Sequence, residues 1–229
     1  MSRLAQALIS LTFLLSSVPV QAQLFFHNLF ENSGAEAGPA SPDGQTVVPV
    51  PGWMTSGNFT VVGYGTPGEF PTATDPGPPN RGSNFFAGGP NNASSTASQM
   101  YEASPQDASE IDVGHVFYTM EGYLGGFANE QDHSMVAVIY KNAQGEILSS
   151  ATIGPVTAAD RNNRTGLLVD HVNGSVPVGT RRVELILTMT RIDGSYNNAF
   201  ADGLSIVLIS LPTPVDPSTW GRIKASYRH

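Results

Sequence analysis

Apolar residues recur at every second position over much of the second half of the chain, which is the period of a β-strand. In the run from Val116 to Leu124 large apolar side chains alternate with polar ones, whereas Met135 to Tyr140 is almost continuously apolar. Similar runs occupy residues 94–102, 147–153, 167–172, 183–189 and 204–211. Eight or nine strands at this spacing, with almost no helical periodicity, predict an all-β fold, namely an antiparallel β-sandwich or jelly roll.

The first half of the chain has a different pattern, because most of the 24 glycines and 17 prolines cluster there, chiefly within residues 38–90. Aromatic residues such as Phe59 and Phe85 interrupt these turn-rich stretches and favour short strands joined by long loops. Farther along, residues 141–146 separate two strand-like runs and predict a hairpin loop in which Gly145 has a positive φ angle.

The N-terminal 22 residues have the organisation of a secretory signal peptide. Arg3 precedes an apolar stretch at residues 4–15, and Val20 and Ala22 fit signal-peptidase cleavage after Ala22. The apolar stretch is shorter than the ~20 residues that span a bilayer. We therefore predict residues 1–22 to be a signal peptide, residues 23–211 to be one exported sandwich domain, and the mature protein to be secreted or on the cell surface without a transmembrane segment.

Residues 212–229 form a separate region, in which a proline-rich linker leads into a short basic and aromatic tail. Ser218 can cap a short helix that places Trp220, Ile223 and Tyr227 on one face. Two interpretations remain open, namely a sorting or anchoring tag that a partner recognises and a tail that folds back onto the sandwich.

Charge and cysteine content restrict the partners and the chemistry. The formal net charge of −8 disfavours nucleic acid as a partner, because a polyanion would be repelled. The sequence has no cysteine, which excludes disulfides, thiolate metal sites and a cysteine nucleophile. An exported chain without disulfides favours a bacterial source.

The sequence contains no nucleophile elbow, zinc-protease motif or phosphate-binding loop, so we do not expect an enzyme. The neighbours Asp132 and His133 would point to opposite faces of a strand and could not act together. A pair of carboxylates is the catalytic option that remains, with Glu121 and Glu184 as candidates if their strands are adjacent.

Two carboxylates near opposite ends of the domain suggest a metal site. Glu36 and Asp202 each lie beside small or turn-forming residues next to an apolar run. If the terminal strands of the sandwich are neighbours, both oxygen ligands could reach one Ca²⁺, together with backbone carbonyls and Asn32. We predict a structural role for this calcium.

Four segments of the sequence resemble the secreted carbohydrate-binding-module-like jelly rolls, also called galactose-binding-like domains. They are the opening Asn32–Glu36 (NSGAE), the closing Ala199–Ser205 (AFADGLS), the hairpin Val136–Leu148 and the turn Val176–Val183 (VPVGTRRV). The resemblance implies a jelly roll with a non-catalytic, sugar-binding or adhesive role, and it strengthens the prediction of a structural calcium.

Sugar binding needs flat aromatic faces and a few polar groups that fix hydroxyls. Aromatic residues beside glycine or asparagine turns are candidates for the first role, and nearby polar residues for the second. The predicted ligand contacts are Trp53, Arg81, Asn84, Phe127, Asp132, Tyr196 and Asn197.

The leading hypothesis is an extracellular module that binds carbohydrate or a cell-surface glycan. A structural subunit of a surface layer or appendage, which binds other protein chains through exposed edge strands, is the alternative. A glycan-cleaving enzyme on a jelly-roll scaffold is the third hypothesis.

Overall fold

The computed structural model describes residues 25–211, which form two antiparallel sheets of five strands each. Ten strands and one helix follow in chain order: β1 (Met54–Ser56), β2 (Thr60–Gly63), β3 (Asn84–Pro90), β4 (Ser94–Glu102), α1 (Pro105–Asp112), β5 (Val116–Gly126), β6 (His133–Lys141), β7 (Ile147–Ile153), β8 (Gly166–Ser175), β9 (Arg182–Thr190) and β10 (Tyr196–Ser210). The predicted signal peptide and the predicted tail at residues 212–229 lie outside the described residues.

The two sheets face each other in a β-sandwich. Sheet I has the strand order β1-β4-β9-β6-β7, and sheet II has the order β2-β3-β10-β5-β8. Most neighbours within a sheet are distant in sequence, so the chain crosses repeatedly between the sheets, as in a jelly roll. The predicted all-β antiparallel sandwich is confirmed.

The period-two pattern of the sequence places the core between the sheets. In the central strands of sheet I, Val136 and Val138 of β6 and Leu185 and Leu187 of β9 are completely buried. Their sequence neighbours are partly exposed on the outer face. Burial of these branched side chains supplies the main driving force for pairing the sheets.

A second, smaller apolar cluster lies on the outer face of sheet II. Phe85 of β3 and Phe200 of β10 point outward there, and Phe70 from the long loop after β2 packs against both, with ring centroids 6.4 and 6.2 Å away. The loop therefore covers this part of the sheet. Its proline- and glycine-rich sequence is ordered by aromatic packing.

The N-terminal part of the described chain runs beside β10. The backbone N–H groups of Phe26 and Leu29 donate to the carbonyls of Leu208 and Ile206, and Leu204 N–H donates to the carbonyl of Ser33. The predicted proximity of the two ends of the domain is confirmed.

Helix α1 was not predicted, because its apolar residues are too few to show a helical period. Its start nevertheless carries a local signal. The Ser104 side chain accepts a hydrogen bond from the Asp107 backbone, the Asp107 carboxylate accepts one from the Ser104 backbone, and Pro105 occupies the first turn.

Candidate functional site

The structure brings Glu36 and Asp202 together, as the sequence predicted. A Cβ atom placed on Gly34 would lie 3.5 Å from Asp202 Oδ1 and 4.0 Å from Glu36 Cγ, so the small residue separates the two carboxylates. Glu36 Oε1 accepts hydrogen bonds from the backbone N–H groups of Ser83 and Asn84, at 2.9 and 2.8 Å. It thereby joins the opening segment to the start of β3.

Asp202 is buried, with 1% of its surface exposed. Its Oδ2 accepts a 2.7 Å hydrogen bond from the Tyr64 hydroxyl, and its Oδ1 accepts one from Gly203 N–H. Burial raises the pKa of Asp202 to about 7, and the charge of Glu36 adds to the rise, whereas the two hydrogen bonds and Arg81 oppose it. The carboxyl group therefore titrates near neutral pH.

The groups around this pair fit a calcium ion only in part. Two carboxylates are present, but the Asn32 amide already bonds to the backbone, because Oδ1 accepts from Ala37 N–H and Nδ2 donates to the Pro51 carbonyl. Within residues 25–211, no three histidine, aspartate or glutamate side chains converge as a metal-ligand set. The Arg81 guanidinium lies 5.0 Å above the Tyr64 ring and supplies positive charge nearby. Calcium at Glu36 and Asp202 stays a prediction.

The seven predicted ligand contacts separate into different environments. Trp53 lies in the core, 8% exposed, where Phe30 and Phe86 pack on its ring at 5.4 and 5.5 Å. Because the described N-terminal segment covers it, its faces contact protein. Asn197 is completely buried, and its amide donates to the Met189 carbonyl and accepts from Ala199 N–H.

Arg81 and Asn84 organise the loop beside the Glu36–Asp202 pair. Arg81 donates to the carbonyls of Thr72, Asp75 and Pro78, and Asn84 donates to the carbonyl of Ala35. The other three predicted contacts are Phe127, Asp132 and Tyr196. They lie towards the other end of the long loop that follows β2 and covers part of sheet II.

The described part of the chain has a cleft at that end, which we call the acidic cleft. It has a volume of about 240 Å³. Its walls come from two loops and from the start of β10: Asp43, Gln45, Pro67, Gly68, Glu69, Phe70, Tyr196 and Asn198. Among the predicted contacts, Tyr196 alone lines it.

Aromatic packing fixes the floor of the acidic cleft. The rings of Phe70 and Tyr196 meet edge to face at 5.3 Å. The turn at residues 43–46 lies on this floor, since a Cβ on Gly44 would lie 2.3 Å from the Phe70 ring. Asp43 Oδ1 accepts the backbone N–H groups of Gln45 and Thr46, which keeps the turn closed and lowers the pKa of Asp43.

Asp132 fixes the loop that leads into β10. It is 1% exposed. Its Oδ1 accepts from the backbone N–H groups of Ile192 and Asp193, and its Oδ2 accepts from that of Asn198, at 2.6, 2.8 and 2.7 Å. The predicted sugar contact is thus a buried acceptor that positions Asn198 at the cleft.

Arg161 fixes the loop after β5 in the same way. Its buried guanidinium donates to the carbonyls of Gly126, Ala128, Glu130 and Arg164. The loop that carries Glu130 is thereby held close to the start of β10.

Asn198 connects three loops. Two of them are the loops that Asp132 and Arg161 fix, and the third is the loop that covers sheet II. Its Nδ2 donates to Glu69 Oε2 at 2.9 Å and to Glu130 Oε2 at 2.8 Å. Its Oδ1 and the hydroxyl of Tyr196 are buried without a hydrogen-bond partner in the described structure. Burial raises the pKa of Glu130, and the charges of Asp132, Glu69 and Asp193 raise it further.

The sequence analysis did not identify Glu69, Glu130, Asn198 or Gln45. Glu69 and Glu130 lie 129 and 68 residues from Asn198, so no local motif joins them. The available signal was the polar Asn197–Asn198 pair at the start of β10. In the structure Asn197 is bonded inside the protein, whereas Asn198 lines the acidic cleft.

Glu121 and Glu184 do not form a catalytic pair. Glu121 lies on β5 of sheet II and Glu184 on β9 of sheet I, on outward-facing positions of opposite sheets. Glu184 is also paired with Lys141. The prediction that they could share one cleft is wrong, because their strands are not neighbours.

Among residues 25–211, no helix has the length and apolar character needed to cross a membrane.

No protein-family model and no curated protein matches the sequence. Solved structures do match the fold. A cyclase from Fischerella sp. TAU, in complex with 4-(1H-indol-3-yl)butan-2-one, aligns with 82% of this chain and 100% of its own, at a TM-score of 0.53 and 12% identity.

Two further structures match with lower TM-scores. TmCBM61 in complex with β-1,4-galactotriose aligns with 81% of this chain and 100% of its own, with a TM-score of 0.43 and 16% identity. The enzymatically active domain of tailspike protein 4 from bacteriophage CBA120 aligns with 80% of this chain at a TM-score of 0.45 and 13% identity, and this chain spans 21% of it. At 12% identity the likeness to the cyclase concerns the β-sandwich fold alone.

Proposed function

We propose that this protein binds carbohydrate without catalysis and that the sugar occupies the acidic cleft. The observation that carries the proposal is the composition of the cleft, in which an aromatic floor is combined with unpaired buried polar groups. Among residues 25–211 the hydroxyl of Tyr196 and the Oδ1 of Asn198 have no hydrogen-bond partner, and sugar hydroxyls can serve both as donors and as acceptors.

The sheet surface is a poorer candidate for a sugar platform. On the outer face of sheet I, the outward positions of β4, β9 and β6 carry residues such as Thr96, Ile186 and Ala137. In the described strands this face presents no phenylalanine, tyrosine or tryptophan. The loops therefore provide the more suitable site.

The size and charge of the acidic cleft indicate which sugars it would accept. A volume of about 240 Å³ is below the ~300 Å³ at which pockets for drug-sized ligands begin. One sugar ring at the end of a chain fits such a volume better than a polysaccharide does. Asp43 and Glu69 would repel carboxylates, so neutral sugars are expected to bind and uronic acids are not.

The test is a glycan array with the full chain, followed by calorimetric titration of the strongest glycan. Gln45→Ala removes a rim side chain that makes no hydrogen bond in the described structure, so the fold should be unaffected. We expect about a tenfold loss of affinity, which corresponds to one hydrogen bond of ~1.4 kcal/mol.

Gln106→Ala, an exposed glutamine on α1, is the matched control and should bind like the parent protein. Binding of no glycan, or equal binding by Gln45→Ala and its control, would contradict the proposed site.

An edge strand favours a second candidate function, namely assembly with other copies of the chain. Among the described strands β7 pairs with β6 alone, and Ile147, Leu148 and nearby Val178 are exposed apolar side chains at this edge. Exposed apolar edges are sites of strand pairing between chains.

This candidate predicts concentration-dependent oligomers in analytical ultracentrifugation of the full chain. Ile147→Lys should reduce their formation, whereas Val169→Lys on the opposite edge strand β8 should not. A monomer at all concentrations would exclude this self-assembly.

A further inference from the structure

An apolar strip, which we call the β10 strip, lies on the outer face of sheet II where β10 ends. Ile206 and Leu208 are completely buried in the core. Because successive side chains of a strand point to opposite faces, Val207, Ile209 and Leu211 point outward. Ile209 is 37% exposed and Leu211 is 49% exposed. The outer face of β10 therefore stays apolar up to the last described residue.

Two aromatic side chains widen the β10 strip. Phe117 lies on β5 directly opposite Ile209 and is 38% exposed. Phe26 is 69% exposed and lies on the other side of β10, because its backbone N–H donates to the Leu208 carbonyl. Single exposed apolar residues are common on protein surfaces, whereas a contiguous set is typical of a docking surface.

The surroundings of the β10 strip are acidic. Glu121 is exposed on the same face of β5 as Phe117. At the end of β10, the Glu110 carboxylate accepts a 3.0 Å hydrogen bond from the Ser210 hydroxyl. The sequences of β5, β8 and β10 contain no lysine or arginine. Residues 25–211 as a whole carry 18 acidic and seven basic side chains. A basic segment is therefore attracted to this face.

Residues 212–229 have the chemistry and the position to cover the β10 strip. They carry three basic side chains against one acidic side chain, and three large apolar ones at Trp220, Ile223 and Tyr227. Pro212 has no N–H group with which to extend the pairing of β10. Trp220 follows Leu211 by nine residues. Nine residues span at most about 30 Å, whereas the strip from Val207 to Leu211 is about 13 Å long. The segment can therefore reach every part of the strip beside which it starts.

We propose that residues 218–228 of the predicted tail dock on the β10 strip of the same chain. Their large apolar side chains cover the strip, and their basic side chains face Glu110 and Glu121. This contact is independent of the acidic cleft, which lies at the start of β10, where Tyr196 lines it. Of the two interpretations of the tail, the proposal selects the one in which it folds back onto the sandwich. A partner that recognises the tail would first have to displace it.

The test is fluorine nuclear magnetic resonance of the full chain with fluorine-labelled tryptophan. The sequence has two tryptophans, Trp53 and Trp220, and Trp220→Phe identifies their signals. We expect the Trp220 signal to differ little between H₂O and D₂O, because a covered ring has little contact with solvent. The Trp53 signal comes from the core and reports whether the fold is intact.

Ile209→Lys removes an apolar contact from the strip and adds a charge that repels the basic tail. It should lower the ratio of docked to free tail about tenfold, since one apolar side chain is lost from the contact. The solvent dependence of the Trp220 signal should then approach that of free tryptophan. Val169→Lys, an exposed change on β8 of the same sheet, is the matched control and should leave the Trp220 signal unchanged. The Trp53 signal should be the same in both variants.

Three results would overturn the proposal. The first is a Trp220 signal with the solvent dependence of free tryptophan in the parent protein, since the tail would then be undocked. The second is an equal effect of Ile209→Lys and Val169→Lys. The third is protection of Trp220 that disappears on dilution, which would place the tail on a second copy of the chain.

Discussion

Replacing Asp132 by alanine is expected to lower the free energy of unfolding by about 3 to 5 kcal/mol, because three backbone N–H groups lose one charged acceptor. The acceptor serves Ile192, Asp193 and Asn198, all within the segment that enters β10. Alanine leaves these donors buried and unpaired. Urea denaturation of the full chain measures the effect. The acidic cleft should be lost with the loop, so ligand binding should weaken as well.

Asp160→Ala is the matched control for this prediction. Asp160 is an exposed aspartate, and its carboxylate accepts hydrogen bonds only within its own turn, from Thr157. We expect a loss below ~1 kcal/mol. If Asp132→Ala and Asp160→Ala destabilised the protein equally, Asp132 would not fix the loop as described.

The stability of the metal-free protein is expected to fall as the pH rises from about 4 to 7, through the titration of Asp202. Its pKa is about 7 in the folded protein, against an ordinary value of 3.8. The folded state therefore binds this proton more tightly than the unfolded state. The stabilisation is fully present below the ordinary pKa and is lost as the pH rises through 7. At ~1.4 kcal/mol per pKa unit, the loss amounts to several kcal/mol.

Asp202→Asn should remove this part of the pH dependence. Asparagine can still accept the hydrogen bond from Tyr64 and carries no buried charge. In EDTA at pH 8 the variant should melt at a higher temperature than the parent protein, and at pH 4 the two should be similar. A parent protein that is as stable at pH 8 as at pH 4 in EDTA would contradict the assignment.

If calcium binds at Glu36 and Asp202, it should reverse the order of the melting temperatures of the parent protein and Asp202→Asn at pH 8. A bound divalent ion favours the ionised carboxylate, so calcium at pH 8 would stabilise the parent protein more than Asp202→Asn. Equal stabilisation of both proteins by calcium would contradict the predicted structural calcium at this pair.

The strands and several turns could be predicted because their signals are local. Gly145 has a φ angle of 84°, as the hairpin loop predicted, and the runs at Ser94–Glu102 and Ile147–Ile153 are strands with the predicted bounds. β10 extends eight residues before the predicted start at Leu204, because two bulges let its polar beginning stay paired. Local sequence does not report such long-range pairing.

The Glu36–Asp202 pair could be predicted because the two ends of the domain lie side by side. Each of these residues lies beside small or turn-forming residues next to an apolar run. The acidic cleft depends instead on how the loops after β2 and β5 meet at Asn198, and packing in three dimensions decides that contact. Trp53 shows another limit of local sequence. An aromatic residue beside a glycine turn resembles a surface residue, although in the structure its ring packs against Phe30 and Phe86.

The central claim, carbohydrate binding in the acidic cleft, is tested most directly by nuclear magnetic resonance of the isotope-labelled full chain. The strongest glycan from the array is titrated while the backbone amide signals are followed. The account predicts shifts concentrated at Gln45, Gly68, Glu69 and Asn198, with little change on the outer face of sheet I. Shifts centred on Thr96, Ile186 and Ala137, or none at saturating glycan, would contradict it.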